Sequence, residues 1–244
     1  MDFLIAGVQK AGTTALHRYL DAHPGLFLPK LKELHFFDTV QPGKRGIDSR
    51  GYEKFYRKNV DGLIAGEATP IYLFWPGALG LIHQYNPDVK LIVLLRHPVE
   101  RAYSQWTMEH GKSHDSLSFS QAIREGRDRV CDSPWNLRRF SYVERGVYGE
   151  QIARLLALFD ERQVLLIESA DLTQKMQDTL DTVTDFIGVD RFEHYPQHEI
   201  VRPDQSKGPA SPMVQEDYDY LSEVYGPDLE RLRALTGRSF PTLD

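Results

Sequence analysis

The chain has 244 residues, of which 41% are hydrophobic and 26% are charged, and its formal net charge is −6 at pH 7. This composition is that of an ordinary globular protein, and the length suits one large α/β domain, so we predict a single domain over residues 1–244. The acidic balance disfavours nucleic acid as a partner, because nucleic-acid-binding domains carry basic surfaces.

The cysteine content and the apolar runs restrict the possible disulfides, metal sites, membrane spans and cellular location. Cys131 is the only cysteine in the sequence, which excludes an intramolecular disulfide and any metal site built from several thiolates. No apolar run approaches the roughly 20 residues that a membrane-spanning helix needs, and the first residues resemble a strand rather than a signal peptide. We therefore expect no membrane span and a cytoplasmic location.

Five short apolar segments predict β-strands. Four of them are continuous apolar runs, which suit strands that are covered on both faces, as in a parallel sheet flanked by helices. The segment after the first helix is shorter and weaker. In chain order, the predicted strands cover residues 3–8, 26–28, 63–67, 90–95 and 164–168.

Helical patterns alternate with these strands. The alternation favours an α/β, P-loop-like three-layer fold with a central parallel sheet flanked by helices. Residues 112–146 are predicted to hold a short helix near 119–127, followed by an irregular segment rich in aromatic residues and arginine. The predicted helices lie near residues 13–22, 50–58, 76–85, 98–111, 119–127, 147–159, 173–187 and 213–235.

The first strand leads into a glycine-bounded loop, Gly7-Val8-Gln9-Lys10-Ala11-Gly12-Thr13-Thr14, and then into a helix. This order turns backbone N–H groups and a helix N-terminus toward a phosphate. The spacing matches the Walker A loop, G-x-x-x-x-G-K-[ST], except that Thr13 stands at the lysine position and Lys10 lies inside the loop. The glycines alone would fit an ordinary βα turn equally well. Lys10, Thr13 and Thr14 favour an anion site, because they add a cation and two hydroxyl groups.

A second candidate anion site follows the strand at 90–95, in the segment Arg96-His97-Pro98-Val99-Glu100-Arg101-Ala102-Tyr103-Ser104. Arg96 ends the strand, Pro98 suits a first helical turn, and Ser104 lies about two turns further on. Arginine offers a planar fork of donors to a phosphate. An ion pair between Arg96 and a nearby carboxylate is an equally good explanation of this arginine.

The segment Lys32-Glu33-Leu34-His35-Phe36-Phe37-Asp38 carries a carboxylate and an imidazole two residues apart, followed by paired aromatic residues. Such a pair can act as a general base and its partner in an apolar-walled cleft. Considered in isolation, a surface Glu33 and a structural His35 would be the preferred interpretation.

Four motifs in this order resemble those of the sulfotransferases that use 3′-phosphoadenosine 5′-phosphosulfate (PAPS): V-Q-K-A-G-T-T, K-E-L-H-F-F-D, G-E-A-T-P and L-L-R-H-P-V-E-R-A-Y-S. The resemblance is strongest to the heparan sulfate and related carbohydrate branch. It covers nearly the whole chain, from residue 3 to the terminal helix.

The resemblance implies a role for each candidate residue. Glu33 would be the catalytic base, with His35 a polar neighbour in the acceptor site. Lys10 would stabilise the charge that builds on the bridging oxygen as the sulfuryl group leaves. Arg96 and Ser104 would bind the 3′-phosphate. The remaining cofactor-binding residues would be Ala11, Gly12, Thr13 and Thr14 in the 5′-phosphosulfate loop, and Ser206, Lys207 and Gly208 in a C-terminal loop that closes over the cofactor.

Three departures from the heparan sulfate enzymes bear on the acceptor and the setting. Those enzymes have Glu-Lys-Thr-Pro where this chain has Glu67-Ala68-Thr69-Pro70. The lysine that they place in the cleft is therefore missing here, which disfavours a polyanionic glycan acceptor. Pro209 stands where they carry arginine. The cysteine pair of their C-terminal loop is also absent, which fits a cytoplasmic protein.

The sequence thus predicts a metal-independent enzyme that transfers a sulfuryl group from PAPS to a hydroxyl group of a small-molecule or sugar acceptor and releases adenosine 3′,5′-bisphosphate. N-sulfation of an amine or carbamoyl acceptor is the alternative within this class. A P-loop nucleotide kinase or NTPase, and a non-catalytic anion-binding module, are the alternatives outside it. The acceptor, the oligomeric state and the choice between Glu33 and His35 as the base are left open.

Overall fold

The structure is a computed structural model that describes residues 1–39, 49–56, 62–198 and 212–240. The chain divides into two compact units. The first consists of Met1–Leu95 and Arg154–Val201, and the second of Arg96–Ala153 and Arg202–Asp244. The single domain over residues 1–244 stays a prediction.

The first unit contains a five-stranded sheet in which every pairing is parallel. Its order, β2-β3-β1-β4-β5, puts the first strand of the chain at the centre. The sheet, flanked by helices, confirms the predicted fold class. Its strands are β1 (Phe3–Gly7), β2 (Leu26–Phe27), β3 (Ile64–Ala68), β4 (Lys90–Leu95) and β5 (Val164–Glu168).

Ten α-helices lie in the described part of the chain. They are α1 (Thr13–Asp21), α2 (Arg50–Glu53), α3 (Ala78–Tyr85), α4 (Pro98–Gly111), α5 (Phe119–Ile123), α6 (Pro134–Phe140), α7 (Tyr148–Leu156), α8 (Ser169–Gln174), α9 (Met176–Ile187) and α10 (Gln215–Thr236). None of these helices combines the length and the apolarity that crossing a membrane would require.

The prediction of irregular structure after residue 127 is wrong at α6. Ser133 caps this helix by accepting a hydrogen bond from the Asn136 N–H at 3.1 Å, and Pro134 occupies its first turn. Both are recognisable helix-start signals that the arginine- and aromatic-rich composition obscured. The helix predicted near 173–187 corresponds to α9. The short helix α8 was not predicted and is separate from α9, because Lys175 leaves helical geometry between them.

In the second unit, α4 is anchored by buried side chains. Trp106 is 1% exposed and donates from its ring N–H to the Leu117 carbonyl at 3.0 Å. Arg101 is fully buried and donates to the Gln105 side chain at 2.8 Å and to the Tyr142 carbonyl. Removing one partner of a buried charged group is costly, so these contacts fix the position of α4.

In the sheet, β1 and β3 meet closely at Gly66. A Cβ added at Gly66 would lie 2.2 Å from Cζ of Phe3, which is fully buried. We expect Gly66→Ala to lower the free energy of unfolding by at least about 1–3 kcal/mol, because overpacking forces the ring or the strand to move. Chemical denaturation measures the effect.

Gly80→Ala is the matched control. It lies on the exposed side of α3, where an added Cβ meets no atom of the described chain within 4 Å. The control should gain up to about 1 kcal/mol, because alanine favours a helix over glycine. Equal stability of Gly66→Ala and the native chain would contradict the packing described at β1 and β3.

Candidate functional site

The loop between β1 and α1 has a defined backbone. The Val8 N–H donates to the Leu94 carbonyl on β4 at 2.9 Å, and the Ala11 N–H returns to the Val8 carbonyl at 3.2 Å. Lys10 has φ 75° and Gly12 has φ 89°, so both are in the left-handed region, which is unusual for lysine. Gly12 precedes α1 and carries no capping side chain, which leaves N–H groups of the first turn for an anion or for water.

A second loop, after β2, carries the candidate base. Glu33 has φ 63° and His35 has φ 51°, so these two residues also have left-handed backbones. The Glu33 N–H donates to the carbonyl of Ala68, the last residue of β3, at 3.2 Å. Because Ala68 pairs with Ile5 on β1, the Glu33 loop and the Lys10 loop leave the same edge of the sheet. This is the edge at which parallel α/β sheets bind ligands.

The side chains of the second loop form a continuous polar chain. Lys32 Nζ lies 3.0 Å from Oε1 of Glu33, and His35 Nε2 lies 3.4 Å from Oε2 of Glu33. On the other side of the imidazole, His35 Nδ1 lies 2.8 Å from Oδ2 of Asp38, whose side chain is buried. The order along the chain is therefore cation, carboxylate, imidazole, carboxylate.

The contacts within this polar chain shift the pKa values of Glu33 and His35 in opposite directions. Burial would raise the pKa of Glu33, but the hydrogen bond from His35 and the nearby Lys32 outweigh it and lower that pKa to about 2. Hydrogen bonds to Asp38 and then to Glu33 raise the pKa of His35 to about 9, against the effect of burial. At neutral pH the site therefore holds an ionised Glu33 and an imidazolium at His35, with both ring nitrogens donating.

The second unit carries the other candidate anion residues. Arg96 follows the last residue of β4 and donates from Nε and Nη2 to Oε2 of Glu100 at 3.1 and 3.0 Å. The Tyr148 hydroxyl donates to the Arg96 carbonyl at 2.8 Å, and Ser104 lies within α4. The ion-pair explanation of Arg96 is thus realised. Glu100 is 55% exposed, and ion pairs at such exposed positions contribute little to stability.

Comparison with known proteins identifies the family of this chain. The family model described as "Sulfotransferase domain" matches residues 1–208, which is most of the sequence. The chain belongs to the sulfotransferase family. This membership confirms the resemblance seen in the sequence. It also confirms the enzyme class predicted from that resemblance, a PAPS-dependent sulfotransferase.

Relatives and a solved structure agree with the family model. Human heparan sulfate glucosamine 3-O-sulfotransferase 6 is 32% identical over 97% of this chain and 72% of its own length. Mouse bifunctional heparan sulfate N-deacetylase/N-sulfotransferase 3 is 32% identical over 84% of the chain, which spans 24% of that protein. The crystal structure of a sulfotransferase from Alicyclobacillus acidocaldarius superposes with a TM-score of 0.83 at 27% identity, covering 99% of this chain and 98% of the other.

The predicted site residues fall into three groups in this sulfotransferase. Lys10, Ala11, Gly12, Thr13 and Thr14 form the loop after β1 and the start of α1, and Glu33 and His35 are brought into contact by the loop after β2. Arg96 and Ser104 belong to the second unit. Ser206, Lys207 and Gly208 lie outside the described residues, as does Pro209. The roles assigned to all of these residues stay predictions. Within the described ranges, no group of acidic, histidine and cysteine side chains is arranged to hold a metal ion.

Two members of the polar chain were not assigned a role from the sequence. Asp38 closes the Glu33–His35 motif, and its spacing of three residues from His35 was the available signal. Lys32 directly precedes Glu33 and contacts the same carboxylate. The residue types alone do not predict the two contacts, and they do not indicate the left-handed backbone found at Glu33 and His35.

The raised pKa of His35 gives a direct prediction. An NMR titration should give a pKa of about 9 for His35, compared with its ordinary value of 6.5. Because the folded-state pKa is the higher one, the stabilisation from this charge is complete below about pH 6.5 and is lost as the pH rises through 9. Asp38→Asn should move the pKa back toward 6.5, since it removes the largest cause of the shift.

Asp185→Asn serves as the matched control, because Asp185 pairs with Arg191 at the surface. It should leave the His35 titration unchanged. A native His35 that titrates near 6.5 would contradict the contacts described for its two ring nitrogens.

Proposed function

We propose that this protein transfers the sulfuryl group of PAPS to a hydroxyl group of a small-molecule or sugar acceptor, with Glu33 as the general base. The acceptor oxygen bonds to sulfur as the bond from sulfur to the bridging oxygen breaks. The electron pair of the broken bond stays on the 5′-phosphate of adenosine 3′,5′-bisphosphate, and the acceptor proton passes to Glu33. No redox partner is needed.

The observation that carries the choice of base is the chain from Glu33 through His35 to Asp38. An imidazolium whose two nitrogens both donate has no lone pair with which to take a proton. Glu33 is ionised and has acceptor capacity, so it is the group able to act as the base at neutral pH.

A carboxylate with a pKa of about 2 is a weak base toward a free alcohol. Proton transfer to Glu33 becomes easier as the reaction proceeds, because a hydroxyl group becomes strongly acidic once its oxygen begins to bond to sulfur. We infer that the proton moves late in the transfer and that Glu33 acts mainly by holding the hydroxyl group in line.

Two sets of residues support the donor assignment. The Lys10 loop combines a cation with backbone N–H donors at the start of α1, which suits the 5′-phosphosulfate and the charge that builds on the bridging oxygen. Arg96 and Ser104 are the groups proposed for the 3′-phosphate, with Lys207 in the closing loop. Together, the two sets of residues would bind the anionic groups that the nucleotide carries on both sides of its ribose. No residue is assigned to a metal ion.

The acceptor proposal is supported by Ala68. Its carbonyl accepts the Glu33 N–H, so the position lies directly beside the candidate base. The heparan sulfate enzymes that the sequence resembles have lysine there, and an alanine offers no cation to a sulfated or carboxylated glycan. We therefore propose an acceptor with little negative charge near the reacting hydroxyl group.

N-sulfation of an amine or carbamoyl group remains the alternative. The relatives include proteins named for 3-O-sulfation and proteins named for N-sulfation at about the same identity, so the comparisons favour neither. The kinase and NTPase alternative has no support from the family match.

Calorimetry tests the donor proposal without knowledge of the acceptor. Adenosine 3′,5′-bisphosphate should bind about 10–100-fold more tightly than adenosine 5′-phosphate, because the 3′-phosphate adds charge-assisted hydrogen bonds worth roughly 1.5–3 kcal/mol. Arg96→Ala should remove most of this difference.

The control is Arg162→Ala, since Arg162 is another exposed arginine paired with a nearby carboxylate, Asp160. It should leave both affinities unchanged. A preference for ATP with magnesium would contradict the proposed function, and an unchanged preference in Arg96→Ala would contradict the assignment of Arg96.

A further inference from the structure

We propose that Glu67 and Thr69 are positioning residues, which hold the Glu33 loop in its left-handed conformation through a directed chain of hydrogen bonds. The inference rests on the proposed function, since it concerns how the base is held in place. Neither residue contacts the polar atoms of the Glu33 side chain in the described contacts, so both act through the backbone of the loop.

The loop has a conformation that needs external support. Left-handed φ values at two non-glycine residues, Glu33 and His35, cost free energy and persist only where the surroundings hold them. Backbone N–H groups of the loop reach outward for this support. The Leu34 N–H donates to Oγ1 of Thr69 at 3.1 Å, and the Phe36 N–H donates to the Tyr72 hydroxyl at 2.9 Å.

Thr69 is connected in turn to a buried carboxylate. Its hydroxyl donates to Oε2 of Glu67 at 2.8 Å, and Thr69 is fully buried. The Tyr52 hydroxyl donates to the other oxygen, Oε1, at 2.8 Å and accepts from the Tyr56 hydroxyl at 3.1 Å. Glu67 is 1% exposed, so this carboxylate exchanges its partners for water only with difficulty.

The contacts of Thr69 fix the direction of its hydroxyl proton. Because Leu34 supplies an N–H to Thr69, the threonine proton must point away from the loop, toward Glu67. An ionised Glu67 accepts from both Thr69 and Tyr52 at once. Burial raises the pKa of Glu67 to about 7, and the hydrogen bonds from Tyr52 and Thr69 oppose that rise.

A glutamine at position 67 would break this order. Its amide group has a single oxygen, so one of the two hydroxyl groups would face an N–H donor in place of an acceptor. At Thr69, valine would keep the side-chain volume but would leave the Leu34 N–H without its acceptor, whereas serine would keep the hydroxyl group. The two substitutions at Thr69 therefore separate the hydrogen bond from the packing.

Two measurements on the full chain test the inference. In Thr69→Val, hydrogen exchange measured by mass spectrometry should be faster over residues 33–37. With PAPS as donor, its kcat should fall by about 100-fold, because a misplaced base loses alignment. The affinity for adenosine 3′,5′-bisphosphate should stay within about twofold of the native value, a factor worth under 0.5 kcal/mol. Glu67→Gln should behave in the same way, and Thr69→Ser should restore both loop exchange and kcat.

Thr182→Val is the matched control, because Thr182 is an exposed threonine on α9. It should change neither measurement. Native loop exchange and kcat in Thr69→Val and Glu67→Gln would overturn the inference, even in an active enzyme. A native protein that transfers no sulfuryl group, while Thr69→Val still speeds loop exchange, would overturn the proposed function and leave the loop restraint standing. Equal losses in Thr69→Val and Thr69→Ser would overturn the role of the hydroxyl group.

Discussion

Glu33→Gln is expected to reduce sulfuryl transfer by about 10²–10⁴-fold, the usual contribution of a positioned general base. Glutamine keeps the size of the side chain and can still accept from His35, but it cannot take the acceptor proton. Affinity for adenosine 3′,5′-bisphosphate should be unchanged, because Glu33 is assigned to the acceptor. Transfer is measured with labelled PAPS against a panel of alcohols, sugars, phenols and amines.

The control for this variant is Glu161→Gln, an exposed glutamate in a short 3-10 helix, which should retain full activity. His35→Ala distinguishes the two candidate bases. If Glu33→Gln stayed active while His35→Ala lost activity, the base would be His35 and the proposed role of Glu33 would be wrong. With Glu33 as the base, His35→Ala should retain part of the activity and shift its pH dependence, since the pKa of Glu33 would lose the hydrogen bond that lowers it.

Lys10→Met is expected to lower kcat by about 10²–10³-fold, comparable to removing one preorganised donor from an oxyanion site. The proposed reason is that the Lys10 ammonium meets the charge that develops on the bridging oxygen. The ground-state nucleotide carries less charge there, so donor affinity should fall much less than kcat. Steady-state kinetics and calorimetry on the same variant measure the two effects separately.

Lys175→Met controls for the loss of a surface charge, since Lys175 is 63% exposed and pairs with Asp171. It should leave kcat and donor affinity unchanged. A Lys10→Met variant whose donor affinity falls while kcat at saturating donor stays unchanged would show that Lys10 serves binding alone.

The parallel sheet was predictable from the sequence because most of its strands are short, continuous apolar runs. Continuous apolar runs at β4 and β5 gave the correct bounds, since hydrophobic burial and strand propensity agree there. The helix α6 was missed because its cap signals lie in a segment dominated by arginine and aromatic residues. The helix-start signal of Ser133 and Pro134 was overlooked because the composition of the surrounding segment favoured irregular structure.

The candidate site was only partly predictable. Glu33 and His35 could be proposed from their motif. The polar chain from Lys32 to Asp38 could not, because it includes left-handed φ values at Glu33 and His35. A glycine would have indicated such values in the sequence, whereas glutamate and histidine do not. The support from Glu67 and Thr69 is harder still to foresee, because the two segments lie more than thirty positions apart along the sequence.

The central position of β1 has a consequence for how the protein is made. Of the five strands in the described sheet, β1 is synthesised before the others, and there it pairs with β3 and β4, with partner residues that extend to Val93. Until β4 has been synthesised, β1 has at least one unpaired apolar edge, and such edges invite association with other chains. The loop that carries Lys10 also donates a hydrogen bond to β4, from the Val8 N–H to the Leu94 carbonyl, so this contact cannot form on a nascent chain that stops short of that strand.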